Sequence, residues 1–216
     1  MEHNNYEREL KYLVQGGKLP LMKILELFDR HGYRLIKFKQ KEKQEVFYDD
    51  ENLTLLNNHD TLKHSSIFKK KRIKQRFMYK KNISQPDKPY ISKLEVGSGK
   101  YTSLDEFLAA LNLNLPIQHH PFMHAKMTRD TAVIEKSPDD RLLLSLDKVK
   151  YFRASGVSSV FDEELEVECW TNPNTNGTRD YDAHLCEAHD ILLASGLPLE
   201  HTRQSKHLRG HELLRE

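Results

Sequence analysis

Cysteine is scarce in this chain of 216 residues: only Cys169 and Cys186 are present. One lies in a strand-like run and the other in a helix-like run, so neither a disulfide framework nor a thiolate metal cluster is supported. No stretch approaches the roughly 20 apolar residues of a membrane span, and Met1-Glu2-His3-Asn4-Asn5 lacks the basic and apolar regions of a secretory signal. A cytoplasmic protein without a membrane partner is expected. There is no glycine-rich phosphate loop, no nucleophile elbow and no HExxH motif. An excess of one charge is also missing: 34 Lys and Arg stand against 32 Asp and Glu, a net charge of +2. Function therefore has to be read from how the charge is distributed.

What the chain does have is alternation. In YERELKYLV, from Tyr6 to Val14, Glu7, Glu9 and Lys11 fall on one face of a strand and Leu10 and Tyr12 on the other. Leu21, Ile24, Leu25 and Phe28 have helical spacing, with Gly32 placed to cap that helix. YRLIKFKQ and QEVFY suit two strands joined by a charged turn, followed by a polar connection holding a short apolar patch. Residues 63 to 81 predict a basic strand or hairpin in which Lys74, Arg76, Met78 and Lys80 alternate with Gln75, Phe77 and Tyr79. YISKLEVG is a further strand, and Ser103-Leu-Asp-Glu106 is a capping box opening a helix that ends near Asn112. A loop runs from Pro116 to Pro121. MHAKMTRDTAVIEK, RLLLSLDKVKYF and EELEVECW then predict three strands, and the remainder, including His201 to Leu214, is expected to be helical.

Glu7/Glu9/Lys11, Arg76/Lys80 and Glu164/Glu166/Glu168 each form a charged row opposite an apolar or aromatic one. Such rows face either bulk solvent or a wet, charged interior. Hard divalent cations take oxygen ligands, and carboxylates at i and i+2 of a strand project the same way. Lys63, Arg76, Lys80, Lys93 and Arg129 sit in strand-like runs from which they could neutralise a polyphosphate. The KKKR run at 69 to 72 reads more readily as a solvated turn. His119-His120 reads as a loop feature, and His184, Cys186 and His189 do not share a helical face.

Glu7-Arg-Glu9-Leu-Lys11 near the N-terminus resembles the ExExK signature of the CYTH superfamily, the triphosphate tunnel metalloenzymes. Further similarities follow in order. VFYDDENLTLL resembles that family's YFDTPDLxL segment, RFMYKK its LTLK strand and YISKLEV its next acidic strand; MTRD, SLDKV, ELEVE and SKHLRGHELL are similar to the second half of the domain.

The resemblance spans nearly the whole chain and implies one domain over residues 1–216 of the α+β class, an antiparallel eight-stranded closed β-barrel with helices packed outside. It implies a hydrolase acting on inorganic, nucleoside or thiamine triphosphate with Mg²⁺ or Mn²⁺; a cyclase making cyclic AMP from ATP and a degenerate polyphosphate or RNA binder are the alternatives. Carried over by position, Glu7, Glu9, Glu166 and Glu168 hold the metal, and Lys11 contacts phosphate or assists the attacking water together with Glu9. Lys63, Arg76, Lys80, Lys93, Arg129 and Lys206 bind phosphate. The partner is a triphosphate small molecule, with nucleic acid through Lys69 to Arg76 and a homodimer as weaker candidates. The chain departs from the family's LRxR strand, reading Leu62-Lys63-His64-Ser65: a lysine and a serine stand where two arginines are expected.

Overall fold

The computed structural model describes residues 3–69, 72–112, 121–138, 140–156, 159–169 and 181–215. Lys70 and Lys71 of the basic run, the loop from Pro116 to His120 with its two histidines, Trp170 and Gly177 lie outside the described residues.

The alternation read from the sequence becomes an inside and an outside. Strands β1 (His3–Val14), β2 (Arg34–Tyr48), β3 (Thr61–Lys69), β4 (Arg72–Asn82), β5 (Ile91–Ser98), β6 (Met123–Ser137), β7 (Asp140–Arg153) and β8 (Ser159–Cys169) pair antiparallel in the order β5-β4-β3-β2-β6-β7-β8-β1. β1 also pairs with β5, from His3↔Gly97 to Glu9↔Ile91, and this closes the sheet into a barrel of eight strands. Closure satisfies the edges that an open sheet would expose. A ninth strand, β9 (Leu199–Thr202), continues along β1 beyond the end of β5.

The apolar core lies between the barrel wall and its helices. Leu10, Tyr12 and Val14 of β1, Leu142, Leu144 and Leu146 of β7, and Leu165 and Val167 of β8 point outward. They meet Leu21, Ile24, Leu25 and Phe28 of α1 (Leu21–Arg30) and Leu185, Ala188 and Ile191 of α4 (Tyr181–Leu193). Each such side chain contributes roughly 1.5–3 kcal/mol by leaving water. A second cluster covers β3 and β4 on the outside, where Leu55 of the one-turn α2 (Thr54–Asn57) and Leu104 and Phe107 of α3 (Leu104–Ala110) pack on Leu62 and Phe77. Ser103 caps α3 by accepting the Glu106 amide hydrogen at 3.2 Å. Inside the barrel, Phe47, Met123, Ala125, Val149 and Tyr151 form an apolar plug with Leu214 of α5 (Lys206–Arg215).

Two expectations are corrected. Residues 34–48 are one continuous strand, paired with β6 along its length apart from a bulge between Leu35 and Lys37. The charged stretch between Gln40 and Gln44, read as a turn, is where Lys43 enters the polar interior, so its polarity marks the inside of the barrel. His201 and Thr202 belong to β9, and the last helix starts at Lys206, because β1 offers a free edge there. No described helix is long and apolar enough to cross a membrane.

Candidate active site

Alternate residues of the barrel strands project inward, and many of them line a cavity of about 900 Å³. Glu7, Glu9 and Lys11 of β1, Lys43 and Glu45 of β2, Lys63 of β3, Arg76 and Lys80 of β4, Lys93 and Glu95 of β5, Arg129 of β6 and Glu166 and Glu168 of β8 all line it. Lys206, at the start of α5, also lines it. All the metal, phosphate and catalytic candidates from the sequence therefore meet in one place. Burying this many charges destabilises a fold unless something compensates them, and the compensation differs along the cavity.

Carboxylate oxygens of Glu7, Glu9 and Glu168 lie within 4.8 Å of one another. Glu9 and Glu168 face each other across β1 and β8, and Glu7 is two residues from Glu9 on the same side. Burial, and then the charges of Glu7, Glu166 and Glu9, push the Glu168 carboxyl up to about 8. Glu7 bonds Lys80, and Glu9 has Lys11 at 3.2 Å and Lys93 at 3.8 Å. Three carboxyl groups, Glu9 buried and Glu7 and Glu168 half-buried, oxygen donors only, one of them holding a proton at neutral pH, fit a hard dication that would replace that proton.

Glu166 does not join that group. It belongs with Asp147 and Glu164, which form a second set of three within 4.8 Å of one another. These are already met by cations: Lys11 Nζ at 2.6 Å from Glu166, Lys206 Nζ at 2.5 Å from Glu166 and 2.9 Å from Asp147, and Arg129 bridging Asp147 and Glu166. Arg209 of α5 adds a contact to Glu164 and one of 2.9 Å to Asp162. Burial disfavours the Lys11 ammonium, yet Glu164, Glu166 and Glu9 raise its pKa above the ordinary lysine value. Lys11 is thus a fixed cation that positions carboxylates, and it cannot take a proton from water at neutral pH.

Cations with spare capacity line the same cavity. Among the described residues Lys63 has one carboxylate partner, Glu45, at 2.9 Å. Among them too, Arg76 comes no nearer to a carboxylate than 3.9 Å, at Glu95, and its Nε has no hydrogen-bond partner. Burial, then Arg129, lowers Lys43 to about 7, with Glu45 opposing; burial lowers Lys93 to about 8, with Glu9 opposing. Ser65, where an arginine is expected, is fully buried and faces Arg76 across β3 and β4, and its hydroxyl has no partner among the described residues. Unpartnered buried polar atoms such as these mark where a ligand's oxygens would bond. Lys80 is less available, held by Glu7 and by Glu95 at 3.0 Å.

Sequence reasoning missed Lys43, Glu45, Glu95, Asp147 and Arg209. Lys43 and Glu45 carried a signal, since they alternate with Gln44 and Val46. Asp147 carried another, as Ser145 and Asp147 interleave with Leu144 and Leu146. Arg209 carried none, because only docking of α5 brings it to the barrel.

No family model matches the chain, and neither does any curated protein. Solved structures do. PH1819 from Pyrococcus horikoshii OT3 is 15% identical over 96% of this chain and 99% of that chain, with a TM-score of 0.60. HpAC1 from Hippeastrum, a protein named for adenylyl cyclase and reported to have a dominant triphosphatase activity, is 15% identical over 95% of both chains, with a TM-score of 0.54. The chain shares the fold of these two proteins. At this identity the likeness is one of architecture, and the chemistry rests on the residues of this chain.

Proposed function

We propose that this protein is a metal-dependent triphosphatase that hydrolyses inorganic triphosphate, or a nucleoside or thiamine triphosphate, inside the barrel. One observation carries the reading: a group of three carboxylates, Glu7, Glu9 and Glu168, shares a single cavity with the under-compensated cations Lys43, Lys63, Lys93 and Arg76. The fold likeness to HpAC1 agrees with it. Mg²⁺ or Mn²⁺ held by the three glutamates would neutralise phosphate oxygens and favour attack by water. The chain's own residues do the rest. Arg76, Lys63 and Lys43 grip the non-reacting phosphates and meet the charge that builds on the leaving pyrophosphate or nucleotide. Glu9, fixed by Lys11, orients water toward the terminal phosphorus and accepts its proton. Arg129, Lys80 and Lys206, already bonded to carboxylates, hold the acidic wall in place.

Phosphate release from tripolyphosphate and from ATP, with Mg²⁺ or Mn²⁺ and then with EDTA, tests the reading. Metal-dependent phosphate release supports it. Pyrophosphate and cyclic AMP from ATP would mean that the same tunnel is a cyclase. Silence with every metal, while tripolyphosphate still binds, would leave a binding protein and overturn the enzyme.

A further inference from the structure

On the outer wall of β6, β7 and β8, Lys126, Lys148 and Phe161 are exposed. The register sets Gln44, Lys126, Lys150 and Phe161 in a row across four strands, all facing outward. Lys126 and Lys150 are therefore directly opposed, an arrangement that destabilises a sheet unless an anion lies between them. Among the described residues neither has a carboxylate at ion-pair distance. Both ammonium groups lie over the Phe152 ring, at 5.6 and 5.2 Å from its centre, and Lys150 also lies 4.9 Å from that of Phe161. Phe161 is 73% exposed. In the neighbouring row Lys148 stands next to Glu163, with Glu42 at the far end, so the uncompensated charge is concentrated at Lys126 and Lys150. A groove of about 670 Å³ joins these residues and runs on to Phe68.

We propose that this groove docks single-stranded nucleic acid. The occupant has to bring anions to two opposed lysines and a flat ring to an uncovered phenylalanine. A single strand does both, through its phosphates and its unstacked bases. An acidic peptide answers only the lysines, and a flat bilayer surface does not follow a groove. The site is on the outside of the barrel and does not depend on what the tunnel hydrolyses.

Fluorescence anisotropy with a short labelled single-stranded RNA bearing a 5′-hydroxyl, in saturating tripolyphosphate to fill the tunnel, tests the proposal. Binding should persist and should weaken as salt is added. Phe161→Ala should weaken it by about fivefold or more, and Lys126→Glu with Lys150→Glu should abolish it. Phe161 is exposed, so its variant should fold normally, which its circular dichroism will verify. No binding, binding displaced by tripolyphosphate, or binding indifferent to these substitutions would overturn the proposal. So would adsorption of anionic phospholipid vesicles in place of the oligonucleotide.

Discussion

Two groups of three carboxylates sit within the same barrel, Asp147/Glu164/Glu166 and Glu7/Glu9/Glu168, and each could surround one ion. Around the first, Lys11, Arg129 and Lys206 converge. Burial pushes Glu166 up, but Lys11, Lys206 and Arg129 pull it well below the ordinary carboxylate range. In the second group burial, and then its carboxylate neighbours, push Glu168 up to about 8 against the pull of Arg129. The same residue type in the same strand, two positions apart, is an internal ion-pair partner in one case and an uncompensated carboxyl group in the other. Acidity alone does not make a metal site; what matters is whether the protein has already supplied the counter-charge.

The comparison can be broken most forcefully at Glu9. Glu9→Gln should lower metal-dependent phosphate release by about a hundredfold or more while shifting the melting temperature little; unchanged turnover would remove Glu9 from the site. The first group should respond in the opposite way. Lys206→Met leaves Asp147, Glu164 and Glu166 short of one cation and should cost about 3–5 kcal/mol in urea unfolding. A loss below ~1 kcal/mol would show that the two groups do not differ as described.

Lys43 sharpens the contrast on the cationic side. Its folded pKa, about 7, is below the ordinary 10.5, so between these values the unfolded chain binds more protons. Its contribution to stability therefore improves as pH rises from 7 toward 10.5 and is least favourable below 7. Tripolyphosphate should restore the charge, so binding at pH 8 should take up close to one proton, with affinity falling as pH rises above 7. Calorimetry in buffers of different ionisation heat measures this uptake, and Lys43→Met should lower it by close to one proton. The smallest effect is expected outside the barrel. Arg8 and Asp182 form a partly exposed pair at 2.8 Å, and Arg8→Ala should change stability by less than about 1 kcal/mol.

Most of the barrel was legible because strand alternation is a local property. Glu7, Glu9 and Lys11 opposite Leu10 and Tyr12 already imply a wall with two different sides, and the rows at Arg76/Lys80 and Glu164/Glu166/Glu168 repeat it. The reading failed at Gln40 to Gln44, where high polarity suggested a turn: a strand facing a wet interior is polar on both faces, so composition there does not separate strand from turn. It failed again at His201, whose place in β9 depends on an edge of β1 left open by a strand far away in sequence.

The sequence by itself determined which side chains share a face, and hence that acidic and basic rows existed and could line a charged interior. Only the tertiary structure decided how those rows are divided. Glu166 and Glu168 are equivalent by alternation, and their different surroundings arise from Lys206, 40 residues beyond Glu166, and from Arg129 and Lys11 on other strands. Charge compensation acts through space over a few ångströms, so the fate of a carboxylate is set by which cations the closed barrel and α5 bring to it.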